Sequence, residues 1–186
     1  GGPGQPDIGS AYQAMAKGDY AQADRLMDQA LAAALKSGPY VPVFATTVQQ
    51  VADYYANSGL ELKGESIYKN GIDTARRDQA GDTVTQLSGA LANYYTSHGR
   101  EVKGLALFVQ AIADIESHNG TDAPELGPIL TQAAWAAERV GNLSEAEALL
   151  KRAALIKPRQ PKPVGGASAL YVATGAISGF ISPQPF

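Results

Sequence analysis

The chain has 186 residues, of which 45% are hydrophobic and 18% charged, a composition typical of one globular domain with a sizeable core. Its net charge of −3 provides none of the basic excess that nucleic-acid binding requires. The absence of cysteine excludes disulfides, thiolate nucleophiles and cysteine-bound zinc.

The chain opens with GGPGQPD, and we predict a flexible lead over residues 1–7. A start without methionine is typical of a processed or an engineered chain. The lead suits a tether behind a removed signal, as in a bacterial envelope lipoprotein, and it suits a vector-derived remainder equally well. A cytoplasmic location and a cell-envelope location therefore both stay open.

Eight amphipathic segments follow in four pairs, and a glycine separates the two members of each pair. These turn glycines are Gly18, Gly59, Gly99 and Gly141, which recur at intervals of 41, 40 and 42 residues. We predict helices over 6–17, 20–37, 44–58, 61–78, 83–98, 101–118, 123–140 and 144–157, with Asp122 as the N-cap of the seventh. They group into repeats over about 8–37, 44–78, 83–118 and 123–158.

Small residues occupy three matched positions in every repeat. Alanine or glycine stands seven residues before each turn glycine, and again five and twelve residues after it. The twelve residues are Ala11, Ala23, Ala30, Ala52, Gly64, Gly71, Ala92, Gly104, Ala111, Ala134, Ala146 and Ala153. Small side chains let two helix backbones approach closely, so the pattern predicts close helix crossings at these positions.

This order of small, tyrosine, glycine and bulky residues resembles the tetratricopeptide repeat (TPR), with Tyr55 and Tyr95 before two of the turns and Pro158 after the last helix. The resemblance covers roughly residues 8–158. The usual repeat has about 34 residues, so this longer form is more similar to the repeats of kinesin light chain and its bacterial relatives. It implies an all-α fold, a right-handed α-α superhelix (solenoid) of about four helical hairpins.

For the remaining residues, 159–186, we predict a C-terminal cap on the repeat domain. Residues 163–181 carry no charge, and Gly175 follows Gly141 by 34 residues, as a fifth turn glycine would. Residues 163–174 therefore predict a capping helix, while the many glycines and prolines equally favour an irregular arm. The Gly, Ser and Thr content argues against a membrane span, so we expect no direct membrane insertion.

Each candidate catalytic group has an ordinary structural interpretation. His98 and His118 lie where helices end, a position at which an imidazole is favoured by the helix dipole and solvated. Asp114 and Glu116 are two residues apart, a spacing that points side chains away from each other on a helix. The sequence contains no glycine-rich phosphate loop, metal-ligand cluster or nucleophile elbow. We predict no catalytic, metal or cofactor site.

The resemblance implies that the first helix of each hairpin lines a concave groove that binds a protein or peptide. The predicted groove residues are Tyr12, Gln49, Asp53, Asn57, Gln86, Asn93, Ser97, Thr131, Trp135, Glu138 and Arg139. Kinesin-light-chain-like repeats often carry an asparagine pair on this face. Gln49-Gln50 occupies the matching place here, but Gly89-Ala90 and Thr131-Gln132 follow the pattern only partly. The lysine–asparagine set of the carboxylate-clamp members is missing.

These observations predict a non-enzymatic interaction or scaffold module whose partner is a protein or peptide. One alternative is a structural spacer or homo-oligomerisation unit whose groove is filled by its own C-terminal tail. Another is a sensor or an enzyme that holds its ligand in a cavity.

Overall fold

The computed structural model describes residues 7–160. Residues 1–6 of the predicted lead over 1–7 lie outside the described residues, and so do residues 161–186 of the predicted C-terminal cap over 159–186. Within the described chain the fold is all-α, with eight helices and no strand. The helices are α1 (Ile8–Ala16), α2 (Tyr20–Ser37), α3 (Val43–Asn57), α4 (Glu61–Arg77), α5 (Gly81–Ser97), α6 (Glu101–Asn119), α7 (Leu126–Arg139) and α8 (Leu143–Leu155).

Every predicted helix is present, with its ends within three residues of the prediction. The largest difference is at α7, which begins at Leu126 rather than at residue 123. Asp122 is therefore not its N-cap, and that prediction was wrong. Ala123 is buried in the core and donates its N–H to the Gly120 carbonyl at 3.3 Å, so residues 120–125 turn inward before the helix starts.

Helices pack in the order in which the chain makes them, each against the next, and α3 also contacts α5. All four turn glycines have positive φ, between 74° and 88°, which a residue without Cβ adopts at little cost. In each turn, the N–H after the glycine donates to a carbonyl five residues back, the bond of a Schellman motif. The pairs are Asp19 to Ala14 (2.9 Å), Leu60 to Tyr55 (2.9 Å), Arg100 to Tyr95 (2.8 Å) and Asn142 to Ala137 (2.9 Å).

The predicted small residues lie at close helix crossings. Eleven of the twelve are buried, and Ala153 is half-buried. A Cβ added to Gly64 would lie 2.6 Å from the carbonyl oxygen of Ala52, and one added to Gly104 would lie 2.9 Å from that of Ala92. The two crossings are the same contact repeated forty residues apart. The repeat in the sequence is therefore also a repeat in the packing.

Polar side chains couple one helix pair to the next. The hydroxyls of Tyr54 and Tyr55 on α3 donate to carboxylates on α2, at 2.7 Å to Asp24 and 2.5 Å to Asp28. Burial and the hydrogen bond to Asp24 raise the pKa of Tyr54 to about 12, so the phenol stays protonated in the physiological range. These bonds fix the second helix pair against the first, which sets the relative positions of the first helices.

Candidate protein-binding groove

Three first helices, α3, α5 and α7, present a row of side chains to one shared groove. On each helix the groove residues recur every three or four positions, the spacing that keeps side chains on a single face. They are Gln49, Asp53 and Asn57 on α3, Gln86, Ala90, Asn93 and Ser97 on α5, and Pro128, Gln132, Trp135 and Arg139 on α7. The opposite faces of these helices are apolar and buried, which turns the polar row outward.

The groove contains two adjoining clefts. The first, of about 480 Å³, runs from Asn57 to Trp135 and is called the Asp53 cleft below. The second, of about 310 Å³, extends it toward the N-terminal end of α7 at Pro128. Both clefts share Gln49, Ala90, Asn93 and Gln132. Together they make a continuous polar channel across three helix pairs.

The predicted groove residues fall into three groups. Seven of the eleven line the Asp53 cleft: Gln49, Asp53, Asn57, Asn93, Ser97, Trp135 and Arg139. Gln86 lines the adjoining cleft. The other three, Tyr12, Thr131 and Glu138, line neither. Thr131 instead donates its hydroxyl to the Gly127 carbonyl at 3.1 Å, within its own helix.

Trp135 is the most prominent apolar group of the groove. It is the only tryptophan in the sequence, and 59% of its surface is exposed although it lies in the wall of a cleft. An indole left in water is unfavourable, and tryptophan is enriched where proteins bind one another. It lines the same cleft as Asn93, whereas Glu138, also a predicted groove residue, does not line that cleft.

Asp53 is a half-buried carboxylate in the cleft that carries its name. It accepts one hydrogen bond, from the hydroxyl of Tyr68 at 2.6 Å, and no lysine or arginine of the described chain pairs with it. Burial raises the pKa of Asp53, more than the Tyr68 hydrogen bond and the nearby His98 lower it. The carboxylate is therefore incompletely compensated by its surroundings.

Tyr94 adds an unused polar group to the same cleft. The residue is only 8% exposed, its hydroxyl is buried, and no hydrogen-bond partner for that hydroxyl lies in the described part of the chain. Its ring stacks on His98, with centroids 4.1 Å apart. A buried hydroxyl without a partner is costly, so this hydroxyl lowers the stability of the fold.

Sequence reasoning missed eight of the fifteen residues that line the Asp53 cleft, among them four with aromatic rings. Tyr68 and Phe108 come from the second helices α4 and α6 and reach the cleft floor between first helices. Tyr94 and His98 lie at the end of α5, where the sequence indicated only packing and a solvated cap. The repeat offered one signal, since Tyr68 and Phe108 share the position nine residues after a turn glycine.

A further cavity of about 760 Å³ lies where the loops before α3 and α5 meet the end of α6. Tyr40, Arg76 and His118 contribute to its wall. Within this cavity the Arg76 guanidinium is engaged with Asp114 at 3.1 Å.

Residues 7–160 contain neither a candidate metal site nor a membrane-spanning helix. No group of three or more histidines, aspartates or glutamates is placed to hold a metal ion. No helix in this range combines the length and the apolarity needed to cross a bilayer. Comparison of the chain with protein-family models gives no match, and comparison with curated proteins gives none either.

Proposed function

We propose that the protein is a non-enzymatic interaction or scaffold module that binds a protein or peptide segment in the groove of α3, α5 and α7. We also propose that its helix pairs are TPR-like repeats stacked in a right-handed superhelix. The glycine interval of 40 to 42 residues, the repeated Schellman turns and the repeated Gly64 and Gly104 crossings support this assignment.

The observation that carries the proposal is the exposed indole of Trp135 in a polar channel that crosses three helix pairs. A large rigid ring supplies contact area at a low cost in conformational entropy. Amides and hydroxyls around it, at Gln49, Asn93 and Ser97, can hydrogen-bond the backbone of an extended segment. Such a groove uses shape and hydrogen bonds more than charge, so affinity should depend only weakly on salt.

The test is to compare partner binding by variants in the groove with binding by a matched variant outside it. Trp135→Ala and Asn93→Ala remove groove side chains. Asn70→Ala removes an equally exposed asparagine from α4 that lies in neither cleft. Proteins captured from a lysate of the source organism are identified, purified and titrated against each variant.

We expect the affinity to fall about tenfold or more with Trp135→Ala, because truncating a buried aromatic anchor costs about 2 kcal/mol or more. Asn70→Ala should bind like the parent. If the two groove variants fold normally and keep every partner at full affinity, the groove is not the binding surface.

A second candidate function, a spacer or self-association unit, is favoured by one observation on α8. Leu143, Leu150 and Leu155 of this last helix are exposed, Leu155 by 81%. Apolar side chains on a terminal helix can join copies of a chain. Sedimentation at several protein concentrations, with Leu155→Glu as the comparison, distinguishes the two: only the second function predicts association that this change abolishes.

A further inference from the structure

We propose that the Asp53 cleft selects a basic side chain, lysine or arginine, from the bound segment, with its charge at Asp53 and its aliphatic stem on Trp135. This inference rests on the proposed binding function and specifies the chemistry of the partner.

The first step concerns the carboxylate. Tyr68 occupies only Oδ1 of Asp53, at 2.6 Å, so Oδ2 has no protein donor among residues 7–160. Asp53 lines the cleft and is only half-buried, so a group in the cleft can approach this carboxylate. A half-buried carboxylate with an open oxygen is best compensated by a cation that also donates hydrogen bonds, as an ammonium or a guanidinium does.

The second step concerns the other charges of the cleft. Arg139 also lines it, but its guanidinium pairs with Glu101 at 3.5 Å, which reduces its repulsion of an incoming cation. His98 is the remaining basic group, and when protonated it would compete for Asp53. Because Arg139 is paired with Glu101, the accessible charge that has no partner of opposite sign is the negative charge of Asp53. The cleft therefore favours a cationic side chain over an acidic one.

The third step concerns the groups around the charge. The exposed face of Trp135 suits a lysine or arginine stem, since cations and their methylene chains pack well on an indole. A volume of about 480 Å³ accommodates one long side chain together with part of the backbone that carries it.

The experiment selects binders from a phage-displayed library of random nonapeptides on the intact chain at about pH 8, where imidazoles are normally uncharged. Selected peptides are synthesised, each also with its basic residue changed to glutamine. Both forms are titrated against the parent, Asp53→Asn, Trp135→Ala and Asp73→Asn. Asp53→Asn keeps the acceptor for Tyr68 while removing the charge. Asp73→Asn removes the same charge from the exposed face of α4, outside the groove.

We expect one peptide position to be enriched in lysine or arginine, and Asp53→Asn to weaken binding about tenfold or more, while Asp73→Asn has no effect. The glutamine peptide should lose affinity with the parent but little more with Asp53→Asn, so the two changes are coupled. The loss of affinity of the glutamine peptide for the parent does not depend on how any variant folds, since only the peptide is changed in that measurement.

Two results would overturn the inference. If the peptides lose affinity with Trp135→Ala but carry no fixed basic residue, or bind Asp53→Asn as tightly as the parent, the inference of a basic side chain at Asp53 is wrong. The proposal of groove binding would still hold. If no peptide is recovered, or binding survives Trp135→Ala in full, the groove proposal fails and this inference fails with it.

Discussion

Replacing one helical glycine by alanine should have opposite effects at two positions. Gly64→Ala adds a methyl group that would lie 2.6 Å from the Ala52 carbonyl oxygen and 2.8 Å from the Ala56 Cβ. Both neighbours belong to the helix crossing and cannot rotate away. Gly89→Ala adds the same methyl group to α5, where the nearest atom is a Gln132 side-chain oxygen at 3.9 Å.

The magnitudes follow from two opposing terms. Alanine is favoured over glycine inside a helix by about 0.5–1 kcal/mol, whereas overpacking a tight crossing costs about 1–3 kcal/mol. A contact of 2.6 Å with backbone places Gly64→Ala toward the upper end of that cost. We expect Gly64→Ala to destabilise the fold by about 2–2.5 kcal/mol and Gly89→Ala to stabilise it by about 0.5–1 kcal/mol.

The assay is thermal and urea unfolding followed by helical circular dichroism. For a domain of this size, each 1 kcal/mol shifts the melting temperature by roughly 2–4 °C, so the two variants should melt on opposite sides of the parent. Gly104→Ala should cost less than Gly64→Ala, because its shortest contact is with the rotatable hydroxyl of Thr96. A Gly64→Ala variant that is as stable as the parent would refute the close-crossing interpretation of the small residues.

Three further predictions concern single hydrogen bonds, one carboxylate and the C-terminal segment. Tyr55→Phe should destabilise by about 1–2 kcal/mol because it removes the bond to Asp28, whereas Tyr94→Phe, which removes a hydroxyl without a partner, should be neutral or stabilising in urea unfolding. Burial raises the pKa of Glu65, but its hydrogen bonds, led by that from Lys69, lower it more, so the net shift is downward from 4.5. The ionised carboxylate of Glu65 thus adds to the free energy of unfolding above pH 4.5, and this addition is lost as pH falls through the lowered pKa. The difference in stability between the parent and Glu65→Gln should therefore disappear below the lowered pKa. The cap over 163–181 stays a prediction: truncation after Lys162 should lower the melting temperature and promote aggregation, and an unchanged melt and solubility would argue against it.

The helix order could be predicted from the sequence because both signals that encode it are local. Turn glycines such as Gly59 are needed where φ is positive, and small residues such as Gly64 are needed where backbones approach, so each leaves a mark at a fixed interval. Because the fold requires glycine or alanine at these positions, one sequence alone is enough to predict the repeat. The expected pairing of small residues, Ala52 with Gly64, is a contact in the structure.

Other features follow from contacts that no local pattern carries. Gln79 takes the left-handed conformation, with φ of 57°, in a turn where other helix ends have glycine. No glycine therefore marked this turn in the sequence, and α5 begins at Gly81 rather than at residue 83. The incomplete compensation of Asp53 depends on Tyr68, which is fifteen residues away on another helix. The lack of a partner for Tyr94 likewise depends on its surroundings in three dimensions. Predicting these required the packed structure.

The most direct test of the groove is site-specific photo-crosslinking during partner binding. Benzoylphenylalanine is introduced at Gln86, an exposed position in the wall of the groove, or at Asn70, an exposed position on α4 outside it. The proposed function predicts a cross-link to the bound protein or peptide from position 86 and none from position 70. A cross-link from position 70 alone would place the partner on another surface and contradict the account.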